Sequence, residues 1–303
     1  MGQGEALLAC LDRTAVPPRA LVIVLHGLGG SSESGGLRRL AAWLCRHDLA
    51  VLRPNLRGAG AGRRLATGTY AAACNRDLLP LLAMARNLAR DLAPGDRPLP
   101  LLAVGLSLGG TVLLNGLLQA GPTALDGLVL ISSPLDLAAG CDAIERPRNR
   151  LYQAWLLNRL VAQTRADPGG LAPLEQAGLQ RGLSCIRDFD DRITAPRWGY
   201  GSAADYHAKA SPLQALLAGA PLPPTLVLHA VDDPWIPVAA SRQLATVRAG
   251  DPKLTVVIPA GGGHNGFHDV ADPADASWSD RWAAAWLLGR LSAAGPGTPQ
   301  GGP

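Results

Sequence analysis

The chain has 303 residues, of which 48% are hydrophobic and 17% charged, and it carries a formal net charge of +4. This length and apolar content allow a large core, whereas the dispersed arginines, with few aromatic residues between them, argue against a nucleic-acid-binding surface. No apolar run approaches the roughly 18 residues that a membrane-spanning helix needs. The start of the chain has no basic stretch before an apolar one, so we expect no signal peptide.

The cysteines point to a reducing compartment. Five are present, an odd number, and no two are spaced as a C-x-x-C pair. Neither a disulfide framework nor a zinc site is therefore predicted. We expect a cytoplasmic protein with free thiols and no zinc site.

The first half of the chain alternates predicted strands and helices. The run Leu21–Leu25 is continuously apolar and rich in β-branched residues, as in strands buried on both faces of a parallel sheet. Strands are predicted at Ala6–Cys10, Leu21–Leu25, Ala50–Leu52, Leu101–Val104 and Leu128–Ile131, and helices at Leu37–His47, Asp77–Leu92 and Thr111–Leu118. This order predicts an α/β fold with a mostly parallel, doubly wound sheet.

The alternation stops after Ile131 and resumes near Thr225. Residues 136–217 have a helical but irregular pattern without a predicted strand. We interpret them as a helical cap inserted in a core formed by residues 1–135 and 218–294. The remaining predicted elements are the strands Thr225–His229 and Thr255–Ile258, the helices Val238–Ala249 and Trp278–Leu291, and a disordered Gly/Pro-rich tail at 295–303.

Ser107 is the candidate nucleophile. It lies in Gly105-Leu106-Ser107-Leu108-Gly109, between a predicted strand and a predicted helix. A G-x-S-x-G pattern in this context is typical of a nucleophile elbow. The two glycines lack Cβ atoms, so strand and helix can approach each other closely around the serine. The amino terminus of the helix then offers unpaired N–H groups where an oxyanion forms.

The loops after two later strands supply an acid and a base. The chain order Ser, Asp, His is the one found in enzymes with a nucleophile elbow. We favour Asp233 as the acid because it stands four residues before Pro237, and we keep Asp232 as the alternative. For the base we prefer His264, within a glycine-rich loop, to His268.

Backbone amides are expected to hold the oxyanion. One belongs to Leu108, the residue after the nucleophile, and the other to the loop after the first central strand. In that loop we favour Leu28, with Gly29 as the alternative, and we expect His26 to shape the loop rather than transfer protons. The remaining histidines are expected to be structural or exposed: His47, His207 and His229.

Two adjacent carboxylates, Asp190 and Asp191, lie in the predicted cap. Paired carboxylates can bind a metal or exchange protons, but no His or Cys ligand is near them in the sequence. The flanking Arg187 and Arg192 favour an ion-pair network that holds the cap together. No metal site is therefore predicted.

Six motifs carry a resemblance to a known family: His26–Ser32, Asn55–Gly58, Gly105–Gly110, Phe189–Pro196, His229–Pro234 and Gly262–Phe267. Together they resemble the α/β-hydrolase superfamily, and more narrowly its YheT-like branch, which is related to the phospholipase-type abhydrolases of animals. The resemblance covers Leu21–Leu291 and implies an α/β-hydrolase fold and a Ser-His-Asp esterase without a cofactor. Two departures are visible. Only 20 residues precede Leu21, which predicts a shortened N-terminal sheet edge, and Asn265 replaces the Val usual after the catalytic His.

The sequence thus predicts a serine hydrolase that cleaves carboxylic esters, with short- to medium-chain acyl or lipid-like groups, through an acyl-enzyme. An acyltransferase or thioesterase on the same triad is the alternative, and a non-catalytic binding scaffold is a less favoured one. The expected partner is a small-molecule ester substrate, while transient contact with lipid and the oligomeric state are left open.

Overall fold

The computed structural model describes residues 4–293, so the tail predicted to be disordered at 295–303 lies outside the described residues. A seven-stranded sheet forms its centre. The strands are β1 (Ala9–Asp12), β2 (Ala20–Leu25), β3 (Leu49–Pro54), β4 (Leu101–Leu106), β5 (Gly127–Ile131), β6 (Thr225–Leu228) and β7 (Leu254–Val257). Their spatial order is β1-β3-β2-β4-β5-β6-β7, and every neighbouring pair is parallel except β1 and β3. The predicted mostly parallel, doubly wound sheet is confirmed, and its edge strand begins at Ala9 rather than at the predicted Ala6.

Helices connect the strands and fill the insertion between β5 and β6. They are α1 (Gly35–Cys45), α2 (Asn75–Asp91), α3 (Leu108–Ala120), α4 (Leu137–Ile144), α5 (Arg150–Arg165), α6 (Pro173–Arg181), α7 (Ile186–Phe189), α8 (Ala195–Arg197), α9 (Ala203–Ala210), α10 (Leu213–Leu217), α11 (Ala239–Val247) and α12 (Trp278–Ala293). Short 3-10 helices cover Gly60–Leu65, Pro122–Ala124 and Pro147–Asn149, and a π-helical turn covers Asp190–Thr194. Within residues 4–293, no helix combines the length and the apolar character needed to cross a bilayer.

Side chains that alternate along the strands divide the core into two layers. On β2, Leu21 and Ile23 pack into a cluster with residues of α2 and α3, whereas Val22 and Val24 pack with residues of α1 and α12. All six residues of β2 are buried, as expected for a strand covered on both faces. Because β2, β4, β6 and β7 run in one direction, the loops that follow them meet at one edge of the sheet.

The segment predicted as a cap, residues 136–217, contains the helices α4 to α10 and no strand. Some of its apolar side chains form a third cluster, around Leu156 and Phe189, whereas others, such as Leu213 and Leu216, pack into the first cluster. A buried polar contact ties this segment to the sheet layer, since the hydroxyl of Tyr206 accepts a hydrogen bond from the Ala72 amide at 2.9 Å. The predicted helical insertion is thus present between β5 and β6.

The predicted ion pairs of Asp190 and Asp191 with Arg187 and Arg192 are wrong. Asp190 lies 2.8 Å from Nε2 of His207 on α9, and Asp191 accepts a hydrogen bond at 2.9 Å from the first amide of α9. Arg187 pairs instead with two acids at the end of α4, and Arg192 donates to a backbone carbonyl. The π-helical turn rotates the two carboxylates toward α9, which sequence spacing does not indicate.

Candidate active site

The nucleophile elbow at Ser107 joins β4 to α3. Ser107 has φ 52° and ψ −128°, a conformation that residues with side chains rarely adopt. A Cβ added to Gly105 would lie 2.3 Å from the Gly110 Cα, and one added to Gly109 would lie 2.4 Å from the Leu25 carbonyl oxygen. Only glycine fits at these two positions, so strand and helix can close tightly around the serine.

Ser107, His264 and Asp233 form one hydrogen-bonded series. The Ser107 Oγ lies 2.9 Å from Nε2 of His264, and Nδ1 of His264 lies 2.9 Å from Oδ2 of Asp233. Because a carboxylate only accepts, Nδ1 carries the proton and Nε2 accepts the hydrogen bond of the serine hydroxyl. This tautomer is the one in which an imidazole can take a serine proton.

Asp233, rather than the alternative Asp232, faces the imidazole. Its Oδ1 accepts hydrogen bonds at 2.9 Å from the amides two and three residues later, so its own loop holds the carboxylate in place. Asp232 is exposed, and its Oδ1 accepts a hydrogen bond from the Gly263 amide at 2.8 Å. Asp232 therefore supports the loop that carries His264 without contacting the ring.

A buried histidine, His229, lies beside the acid loop. Its Nε2 is 3.0 Å from the Ile236 carbonyl and donates to it, which leaves Nδ1 to accept from the Ser241 hydroxyl at 2.7 Å. The neutral ring satisfies both contacts, and burial lowers the pKa of His229. Its Nε2 is also 3.7 Å from Oδ2 of Asp233, so a neutral ring, not a competing cation, borders the carboxylate.

Two other histidines take no part in this series. His268 is 69% exposed at its side chain and lies 3.9 Å from Asp272. His26 is fully buried, where Nδ1 donates to the Gly27 carbonyl at 2.8 Å and Nε2 accepts from the Leu56 amide at 3.1 Å. Burial lowers the pKa of His26 to about 4, so the ring is neutral and pins the loop between β2 and α1.

The two amides predicted to hold an oxyanion belong to Leu28 and Leu108, and both residues line the same cavity as Ser107. Neither amide donates to an acceptor in the part of the chain that the structure describes. The Gly29 amide, the alternative, already donates to the Tyr70 hydroxyl at 2.7 Å, so it has no free N–H. Leu108 also begins α3, whose amino terminus adds a partial positive charge.

Tyr70 is a candidate functional residue that no sequence pattern indicated. Its hydroxyl accepts from the Gly29 amide at 2.7 Å and donates to the Gly27 carbonyl at 3.0 Å, on either side of Leu28. Its ring meets His26 edge-on, with 5.5 Å between the ring centroids. Tyr70 thereby fixes the loop that presents the Leu28 amide. It follows a Gly/Arg/Ala-rich stretch without periodicity, which offers no signal to find it.

The departure from the family pattern at Asn265 has a backbone explanation. Asn265 has φ 60°, in the left-handed region that Asn adopts more readily than a β-branched residue does. Its amide lies 3.3 Å from the Ser132 hydroxyl, which accepts its hydrogen bond. The change leaves both contacts of His264 intact.

Ser107 and His264 open onto a cavity of about 620 Å³, a volume in the range of small-molecule sites. Apolar side chains of the segment 136–217 form much of its wall: Leu137, Ile144, Leu156, Leu160, Ile186 and Phe189. Trp235 packs between His264 and Tyr152 of α5, with centroid distances of 4.7 Å and 3.4 Å. Across residues 4–293, no three His, Cys, Asp or Glu side chains are arranged to hold a metal ion.

Comparison with known proteins places the chain in a family. The model of the family Hydrolase_4, described as serine aminopeptidase S33, matches residues 16–271. Over 199 residues the chain is 34% identical to YheT of Escherichia coli (strain K12), a match that covers 64% of this chain and 56% of YheT. Over 272 residues it is 29% identical to the phospholipase ABHD3 of Mus musculus, covering 87% of this chain and 62% of ABHD3. The chain thus spans less than two thirds of the length of either relative.

A solved structure with the same fold is a soluble variant of monoglyceride lipase from Saccharomyces cerevisiae, in complex with a substrate analogue. It is 16% identical, with a TM-score of 0.61 over 93% of this chain and 91% of that chain. At this identity the likeness concerns the fold alone. The strand order and the family match agree with the resemblance drawn from the sequence motifs. The chain belongs to the Hydrolase_4 family of the α/β-hydrolase superfamily.

Proposed function

We propose that the protein is a serine hydrolase that cleaves carboxylic esters through an acyl-enzyme on Ser107. The observation that carries the proposal is the series from Ser107 through His264 to Asp233, with 2.9 Å at each step. The series opens onto a cavity with largely apolar walls, which suits an acyl chain. Similarity to ABHD3, which is named a phospholipase, supports an ester of an acyl chain as the substrate.

In the proposed first step, the Ser107 Oγ attacks the ester carbonyl carbon while Nε2 of His264 takes the serine proton. Asp233 stabilises the imidazolium that forms, and the amides of Leu28 and Leu108 hold the negatively charged oxygen. The intermediate then expels the alcohol, which receives the proton from His264. A water molecule, deprotonated by the same imidazole, attacks the acyl-enzyme and releases the acid and the free serine.

We further propose that residues 136–217 act as a cap over a core of residues 1–135 and 218–294, and that this cap selects the acyl group. The support lies in the cavity wall, because α4, α5 and α7 contribute many of its apolar side chains. These helices also share an apolar cluster of their own, apart from the two clusters of the sheet. Short- to medium-chain or lipid-like acyl groups are the proposed substrates.

A cytoplasmic location is also proposed. All five cysteines are free thiols, which fits a reducing compartment. Cell fractionation with the tagged chain tests it, since recovery in a secreted or membrane fraction contradicts a cytoplasmic protein.

Hydrolysis of p-nitrophenyl esters of increasing acyl length by the wild type and by Ser107→Ala tests the proposed activity. We expect the wild type to turn over short- to medium-chain esters and Ser107→Ala to lose that turnover, because the substitution removes the proposed nucleophile. Since only a hydroxyl is removed, the fold should be unchanged. An aminoacyl p-nitroanilide serves as a control for the peptidase activity that the family description names. Preference for the anilide contradicts an esterase. Added alcohol or thiol acceptors distinguish hydrolysis from acyl transfer, which yields a new ester or thioester instead of the free acid.

A further inference from the structure

An acid and a histidine that the proposed reaction does not use also line the cavity. Asp190 on the π-helical turn and His207 on α9 both line it, together with apolar residues such as Phe189 and Ile186. Oδ2 of Asp190 lies 2.8 Å from Nε2 of His207. The side chains are 15% and 2% exposed, so the pair is largely withdrawn from bulk water.

This pair is left with unused hydrogen-bonding capacity. Nδ1 of His207 is buried without a partner in the part of the chain described here. Oδ1 of Asp190 receives no hydrogen bond from the described residues, since its only side-chain contact there is through Oδ2. A buried Nδ1 without a partner costs free energy unless another group satisfies it. π-helical turns are also frequent at functional sites.

The neighbouring carboxylate provides the structural contrast. Asp191 does not line the cavity, and its Oδ1 accepts a hydrogen bond from the first amide of α9. Asp190 and Cys141 instead both line the cavity. Burial raises the pKa of the Cys141 thiol, and the negative charge of Asp190 raises it further. Among the described residues, no Lys or Arg side chain pairs with Asp190, and His207 is its single ion-pair partner.

We propose that Asp190 and His207 form a subsite that binds a hydroxyl group of the substrate. A hydroxyl has one proton to donate and lone pairs that accept, so it can donate to the Asp190 carboxylate while it accepts from Nδ1 of a protonated ring, or, beside a neutral ring, donate to one of the two groups. An ammonium group only donates and is repelled by a protonated ring. The inference rests on the proposed ester hydrolysis at Ser107 and specifies its substrate as a hydroxylated ester. The hydroxyl is carried either by the acyl chain or by the alcohol part.

Matched ester pairs that differ only by one hydroxyl test this subsite. In one arm, p-nitrophenyl esters of ω-hydroxyalkanoic acids are compared with the plain alkanoates over a series of chain lengths. In the other arm, monoesters of diols are compared with esters of the matching simple alcohols. For the wild type we expect kcat/KM to favour the hydroxylated member by about tenfold to a hundredfold at one length in one arm, as expected for a hydrogen bond to a charged group.

The decisive variant is Asp190→Leu, which removes both acceptor oxygens at nearly constant size. We expect the ratio of kcat/KM for the hydroxylated and plain members to fall below one, since the hydroxyl then faces an apolar wall. Because both esters are measured on one sample, a loss of folded protein cancels from the ratio. The matched control Asp191→Asn is expected to keep the wild-type ratio. A wild-type ratio no greater than one in every pair, an unchanged ratio in Asp190→Leu, or an equal loss in Asp191→Asn overturns the subsite.

A binding measurement separates this inference from the proposed reaction. In Ser107→Ala, quenching of tryptophan fluorescence reports occupancy, because Trp235 lines the cavity. Tighter binding of the hydroxylated member than of the plain one supports the subsite, even if neither ester is hydrolysed by the wild type. Equal binding of the two members overturns it. Hydrolysis of plain esters without a hydroxyl preference leaves the esterase proposal standing and removes the subsite alone.

Discussion

Acidification is expected to destabilise the fold through His26. The ring is fully buried and its two nitrogens have opposite roles, since Nδ1 donates to the Gly27 carbonyl and Nε2 accepts from the Leu56 amide. Only the neutral imidazole satisfies both contacts, because a proton on Nε2 faces another N–H. Burial accordingly lowers the pKa of His26 from 6.5 to about 4.

The direction and the size of the change in unfolding free energy with pH follow from this pKa shift. Between pH 6.5 and about pH 4 the unfolded chain binds a proton at His26 that the folded protein does not bind, so the free energy of unfolding falls as the pH falls. The stability that depends on a neutral His26 is fully present above pH 6.5 and is lost as the pH falls from 6.5 to about 4. At 1.36 kcal/mol for each unit, the shift corresponds to about 3 kcal/mol.

Urea unfolding of the wild type and of His26→Gln at pH 6.5 and pH 4 measures this contribution. Gln offers a donor and an acceptor but does not titrate in this range, so the variant isolates the proton on His26. We expect the free energy of unfolding to fall by about 3 kcal/mol less in the variant than in the wild type over this interval. The same fall in both proteins refutes the view that His26 is held neutral by its burial and contacts.

Three further expectations concern the residues around the serine. Tyr70→Phe leaves a loop amide and a loop carbonyl unpaired, so we expect the unfolding free energy to fall by about 1–3 kcal/mol for each group. We also expect a lower kcat, and an unchanged kcat contradicts a positioning role for Tyr70. Asp233→Asn is expected to lower kcat by about 10⁴-fold, as in serine proteases, and Asp232→Asn to lower it far less; the reverse ranking in steady-state assays moves the acid to Asp232. His264→Ala is expected to abolish ester turnover and His268→Ala to retain most of it, and comparable losses contradict the choice of base.

The sheet and the positions of the candidate residues could be predicted because both depend on local patterns. Continuous apolar runs mark β2 and β4, and the carboxyl ends of parallel strands necessarily share an edge. The loops with Ser107, Asp233 and His264 therefore meet whatever the details of packing. Strand ends were less well defined, as β1 illustrates, because a short edge strand has few apolar residues to mark it.

What could not be predicted depends on contacts between distant segments. Tyr70 reaches a loop that lies 41 residues earlier in the chain, and nothing in its own stretch indicates that partner. The partners of Asp190 and Asp191 depend on the π-helical turn and on where α9 packs. The neutral state of His229 likewise follows from a hydroxyl twelve residues away on α11. Such contacts are set by tertiary packing rather than by spacing in the sequence.

The most direct test of the central claim is to map the residue that forms a covalent adduct with a fluorophosphonate probe, by mass spectrometry of the intact protein and of its peptides. If Ser107 is the nucleophile held by His264, we expect one adduct per chain, located on Ser107, and none in Ser107→Ala. The probe should also react far more slowly with His264→Ala, because the serine then lacks its base. An adduct on another residue, or labelling of Ser107→Ala at the wild-type rate, contradicts a reaction centred on Ser107.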